Sequence, residues 1–235
     1  MAALKILSGG AAQGLVARVT QTFTAQTGWG IDGTFGAVGI MAAKLREGTP
    51  ADVMISTAAL IDELQREGLL ATSSAAMGAV ETAVAVREDD AAPPIGDESE
   101  LRAALLASDA IFTPDIVSST AGIHVAKVLR KLGIFDQVES RLKIFPNGAT
   151  AMRELAASQA KHPIGCTQST EIIITKGLAL VGPLPPACAL ATIYAAAVTT
   201  RAQDASLANT LVDILVSRDQ RVARQQAGFL ETAGA

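Results

Sequence analysis

Aromatic side chains are scarce in this 235-residue chain, at 3% of the total, although 49% of its residues are apolar. A core must therefore be built mostly from Ala, Val, Leu and Ile, and that apolar content argues against disorder. Basic charge is short too: 19 Lys and Arg against 23 Asp and Glu leave a net charge of −4. This balance argues against a nucleic-acid partner, which needs a basic surface. No apolar run approaches the roughly 20 residues of a membrane-spanning helix, so a soluble chain without membrane insertion is expected. Cysteine is limited to Cys166 and Cys188, which read as two free thiols or, if the fold brings them together, as a pair; spacing does not decide between the two. Histidine is limited to His124 and His162, with no Cys or acidic partner at ligand spacing, so no metal site is expected. No leader pattern precedes the strand-like Leu4–Ser8, which points to the cytoplasm as written, or to the periplasm if a leader was removed.

The length suffices for one large domain or two lobes of about 100–120 residues each. Short apolar runs alternate with helical patterns. Leu4–Ser8 reads as a strand, followed by a helix with Leu15, Val19 and Phe23 four residues apart and Gly28 just past its end. Gly30–Gly36 and Asp52–Ser56 are further strands, with helices over Val38–Glu47 and Ala58–Glu67. Later strands are expected at Thr82–Val86, Ala110–Pro114, Leu142–Pro146, Ile164–Thr167, Leu178–Leu184 and Ala191–Val198, with helices between most of them and at Ala205–Arg218. Such alternation predicts an α/β fold with mostly parallel sheets and helices on both faces.

Candidate binding residues gather where strands end. Ser8-Gly9-Gly10-Ala11 follows the first strand, and its glycines would let a ligand approach the backbone and the helix start. The string GGAAQG departs from the dinucleotide fingerprint GxGxxG, although Asp32 lies at a suitable distance. Gly36-Ala37-Val38 makes a second turn of the same kind, and Thr57 closes the third strand. Ser118-Ser119-Thr120-Ala121 offers three hydroxyls where one suffices to cap the helix, and His124 sits in its first turns. Asn147 and the run Thr167-Gln168-Ser169-Thr170-Glu171 follow two later strands. Arg46, Arg87 and Arg153 are the cations considered able to reach a cleft. The collective pattern is neutral donors and helix dipoles around an anion.

The segments Leu4–Val16, Thr27–Leu45 and above all EGTPADVMIST (Glu47–Thr57) resemble the molybdate-binding branch of the periplasmic solute-binding proteins, as do Leu129–Ile144 and Ile164–Ile172. The resemblance implies a type 2 fold, with two α/β lobes (1–79 plus 197–235, and 80–196) joined by hinge strands at Val80–Val86 and Ile193–Val198. It also implies a ligand in the interlobe cleft, no cofactor, and an ABC transporter permease as partner if the protein is exported. The molybdate binders hold their oxyanion with serines and a tyrosine where this chain has Ala11, Val38 and Gln168. Lost hydroxyls leave a dianion poorly satisfied, so the expected ligand is a small carboxylate-bearing organic anion with its carbon skeleton on an apolar wall. Some relatives of this branch are cofactor-free aconitate isomerases. On that alternative His124 or Glu171 would be the base, with Ser8, Ser118, Ser119, Thr120, Thr167 and Thr170 clamping carboxylates. Binding of a molybdate- or sulfate-type oxyanion is the third alternative.

Overall fold

A computed structural model describes residues 2–232. In chain order the first elements are β1 (Ala3–Gly9), α1 (Gln13–Thr27), β2 (Gly30–Gly36), α2 (Val38–Arg46), β3 (Val53–Thr57), α3 (Ala58–Arg66) and β4 (Ala75–Arg87). Next come α4 (Glu98–Ala107), β5 (Ala110–Pro114), α5 (Thr120–Lys131), α6 (Phe135–Val138), β6 (Leu142–Phe145) and α7 (Gly148–Ala156). The last are β7 (Pro163–Gln168), α8 (Ser169–Ile173), β8 (Leu178–Pro183), β9 (Ala191–Val198), α9 (Ala205–Val216) and α10 (Arg221–Gln226). The chain divides into two compact units, Met1–Val80 with Thr192–Ala235, and Glu81–Ala191.

In the first unit β1 is flanked by parallel β2 and β3, in registers that set Gly9 beside Gly36 and Ser8 beside Ile55. β9 runs antiparallel to β3 and sets Tyr194 opposite Thr57. Side chains alternate along a strand, so β1 sends Leu4 and Ile6 to one face and Leu7 to the other. The first face packs on Leu15, Val19 and Phe23 of α1 and on Leu211 and Leu215 of α9. The second packs on Met41 and Leu45 of α2 and on Ile61 and Leu64 of α3. α1 stops at Gly28, whose φ of 75° is left-handed and whose N–H returns to the Thr24 carbonyl.

The second unit repeats the scheme around β5, parallel to β6 and β7. β4 pairs antiparallel with both β7 and β8. α4 and α5 cover one face through Leu101, Leu105, Val125 and Leu129. α7 and α8 cover the other through Ala151, Met152, Leu155 and Ile172. Helices on both faces are as expected; the first unit adds one antiparallel pair, β3 with β9, to its two parallel ones, and the second balances two of each kind. β4 also extends to 13 residues, where the pattern indicates only Thr82–Val86. Its first half, AAMGAVE, has a glycine and no clean alternation. Cys166 and Cys188 are both free and buried. Among the described residues no helix is long and apolar enough to cross a membrane.

Candidate functional site

In the first unit the turns after β1 and β2 lie level, because Gly9 and Gly36 are paired. A methyl group at Gly9 would sit 2.8 Å from Val38 Cγ1 and 2.9 Å from Tyr194 Cε1. Close approach therefore requires glycine here, since its φ of −58° is ordinary. Gly10 and Ala11 continue into a buried 3₁₀ turn (Gly10–Ala12). Ala11, Ala37 and Val38 are 2%, 5% and 9% exposed, so the wall beside this turn is apolar and closely packed. Ala37 occupies the N-cap position of α2 and has no side-chain oxygen, so it leaves the first-turn amides uncapped. Ser8 is fully buried and its hydroxyl donates to the Gly9 carbonyl at 2.9 Å, so it shapes the turn. Thr57 caps α3 by accepting from the Leu60 amide at 3.4 Å. Tyr194, the sole tyrosine, packs edge-on against Phe229 with ring centroids 6.3 Å apart. Sequence reasoning missed it; its singularity within an Ala-rich strand was the available signal.

In the second unit the loop after β5 is organised by Asp115. Its Oδ1 accepts from the Val117 amide at 2.9 Å, and from the Ser118 amide and hydroxyl at 2.7 and 2.8 Å. These donors hold the Asp115 carboxyl below the usual carboxylate range, the Ser118 amide most of all. Ser118 is thereby engaged internally. Ser119, at the N-cap of α5, makes no side-chain cap bond, so Thr120 and Ala121 open a helix whose first amides lack the usual partner. Asp115 was overlooked, although Pro-Asp before a hydroxyl run is an Asx-turn signature.

The loops after β6 and β7 close on one another. Asn147 Oδ1 caps α7 by accepting from the Thr150 amide at 2.8 Å. Glu171, 5% exposed, accepts the Thr167 hydroxyl at 2.6 Å and backbone N–H bonds from Ala149, Gln168 and Gly148. Burial pushes the Glu171 carboxyl up, against the pull of those four donors. A methyl group at Gly148 would fall 1.8 Å from Glu171 Oε2. Gln168 and Thr170 are buried alongside, and the Thr170 hydroxyl has no hydrogen-bond partner in the structure.

The structure thus groups Gly9, Ala11 and Val38 with Tyr194 in one unit, and Asn147, Thr167 and Glu171 around Gly148 in the other. It does not join His124 to Glu171. α5 and α8 cover opposite faces of their sheet, and His124 Nε2 donates to the Cys188 carbonyl at 2.8 Å. The arginines are engaged elsewhere: Arg46 with Glu63 and Glu67, Arg87 with Asp90, and Arg153 with Thr150. Among the described residues no group of three His, Cys, Asp or Glu could hold a metal ion.

Two α/β units with their loops and helix starts at strand ends define a periplasmic-binding-protein fold, and the comparisons agree. The family model for bacterial extracellular solute-binding proteins matches residues 4–230, so the chain belongs to that family. The periplasmic molybdate-binding protein of Azotobacter vinelandii superposes with a TM-score of 0.80 at 19% identity, over 98% of this chain and 100% of that one. A sulfate-binding protein of Mycobacterium tuberculosis gives a TM-score of 0.77 at 17% identity, over 100% and 88%. In sequence, an aconitate isomerase from a Pseudomonas species is 22% identical over 233 residues, covering 96% of this chain and 87% of the relative.

Proposed function

We propose that this solute-binding protein takes a small carboxylate-bearing organic anion at its strand-end loops and, where it is exported, delivers it to an ABC-type transporter. The observation that carries this reading is the contrast, within the first unit, between the apolar Ala11–Ala37–Val38 wall and the α2 start at Ala37, whose side chain supplies no cap. Free amides at a helix start favour an anion, and an apolar wall favours carbon over a fourth oxygen. The molybdate and sulfate binders share the fold, while the aconitate-processing relative handles a tricarboxylate. A thermal-shift panel of mono-, di- and tricarboxylates against molybdate, sulfate and phosphate tests the reading. Ligand at 100 times its Kd adds about 2.7 kcal/mol, roughly a 5–10 °C rise for a chain of this length. A response to inorganic oxyanions alone would return the protein to the molybdate and sulfate class.

A second reading, an isomerase of an aconitate-like acid, is favoured by the Pseudomonas relative. Glu171, held up by burial, is one candidate base, and His124, with Nδ1 as acceptor when Nε2 donates to Cys188, is the other. Incubating cis- and trans-aconitate with the protein in D2O and following deuterium entry by NMR decides it. Glu171→Gln and His124→Ala that both retain exchange would eliminate these two as the base.

A further inference from the structure

We propose that Glu171 is a specificity-determining residue whose carboxylate already occupies the anion cradle at the start of α7, so that a ligand must place its anionic group elsewhere. The inference rests on the reading of the strand-end loops as an anion site. The helix α7 presents three first-turn amides, and each has an internal acceptor. Thr150 N–H goes to Asn147 Oδ1, while Gly148 and Ala149 N–H go to the Glu171 carboxylate. The Thr167 hydroxyl, 2.6 Å from Oε2, and the Gln168 amide complete a four-donor shell. Four donors converging on two oxygens suit an acceptor-only group. Gly148 belongs to the same construction, because a side chain there would overlap Oε2 at 1.8 Å.

By contrast, α5 begins at Ser119 with no side-chain cap bond, and α2 begins at Ala37 with no side-chain oxygen. Of these two starts in the second unit, α7 is therefore sealed and α5 open. A carboxylate that fits the open start is accepted. A second anionic group directed at α7 meets an occupied cradle and a like charge, an arrangement that rejects multiply charged anions.

Removing the resident carboxylate should make the cradle available to a free one. Glu171→Ala is compared with the unaltered protein by thermal unfolding in sodium formate and in sodium chloride of equal ionic strength. Formate is expected to raise the variant's midpoint by about 5 °C or more, and to raise the unaltered protein's midpoint less. A variant that folds only in formate counts the same way, and a folded variant indifferent to formate overturns the proposal. The isosteric Glu171→Gln supplies the selectivity arm. Its affinity for sulfate, by calorimetry, should increase on the order of tenfold once the like charge is gone. Unchanged sulfate affinity would reduce Glu171 to a helix cap and overturn the specificity role, even where Glu171→Ala fails to fold in either salt. An unaltered protein deaf to every carboxylate would sink the organic-anion reading, while the formate response of Glu171→Ala stays readable.

Discussion

Asp52 shows how a single side chain can carry a motif without carrying the function. It sits within the most distinctive string of the sequence, yet its carboxylate ties the fold together at the amino end of β3. Oδ2 accepts the Lys5 amide and Oδ1 the Gln203 amide, both at 2.8 Å, and the residue is 6% exposed. Truncating it strands two donors that share a charge-assisted acceptor. Asp52→Ala should therefore lower unfolding stability by about 2–4 kcal/mol in urea titrations, with ligand affinity unchanged; lost binding in a folded variant would place Asp52 in the site. Ala11 and Val38 make the opposite case. Restoring hydroxyls with Ala11→Ser and Val38→Ser supplies the neutral donors an oxyanion needs. The double variant should gain a thermal response to sulfate or molybdate and lose response to carboxylates, and an unaltered preference would remove these residues from ligand selection.

Helix starts are the elements on which the site reading turns, and they separate two jobs that hydroxyl and amide residues do equally well. Asn147 caps α7 through the Thr150 amide, whereas Ser119 caps nothing with its side chain. Asn147→Ala should cost about 1 kcal/mol of stability and Ser119→Ala close to nothing. If Ser119→Ala instead destabilises as strongly, its hydroxyl is structural and α5 has no open start. The boundaries of β2, α2, α3 and β5 follow within a residue or two from glycine stops and apolar periodicity, since those signals are local. α8 does not, because five residues of STEII have no period to display and are helical only through the loop they close. Thr167, Asn147 and Glu171 were visible as polar residues at strand ends. That they bond inward, while Ala37 and Ser119 leave amides open, depends on contacts across the fold that spacing does not encode. Asp115, whose bonds to Val117 and Ser118 are local, was legible as an Asx turn and was overlooked.

At the scale of the whole molecule, stability against pH records two opposing sets of carboxyl groups. Backbone N–H bonds, from Glu100 to Asp97, from Lys161 to Asp109 and from Ser118 to Asp115, hold these aspartates below their ordinary range. Each is deprotonated in the folded chain where the unfolded chain binds a proton. Their contribution is thus present above the unfolded value of about 4 and lost as pH falls through the folded ones. Glu171 has the other sign. Its burial raises the folded value above the usual 4.5, so the folded chain binds the extra proton. That contribution is complete below the unfolded value and lost as pH rises through the folded one. The two together predict a stability maximum on the acid side of neutrality, with a decline above it that belongs to Glu171. Glu171→Gln removes the titrating group, so unfolding free energies measured from pH 3 to pH 8 should keep the acid loss but flatten the decline above the maximum. If the variant's curve runs parallel to that of the unaltered protein throughout, Glu171 ionises in the fold as it does in water, and the decline has another origin.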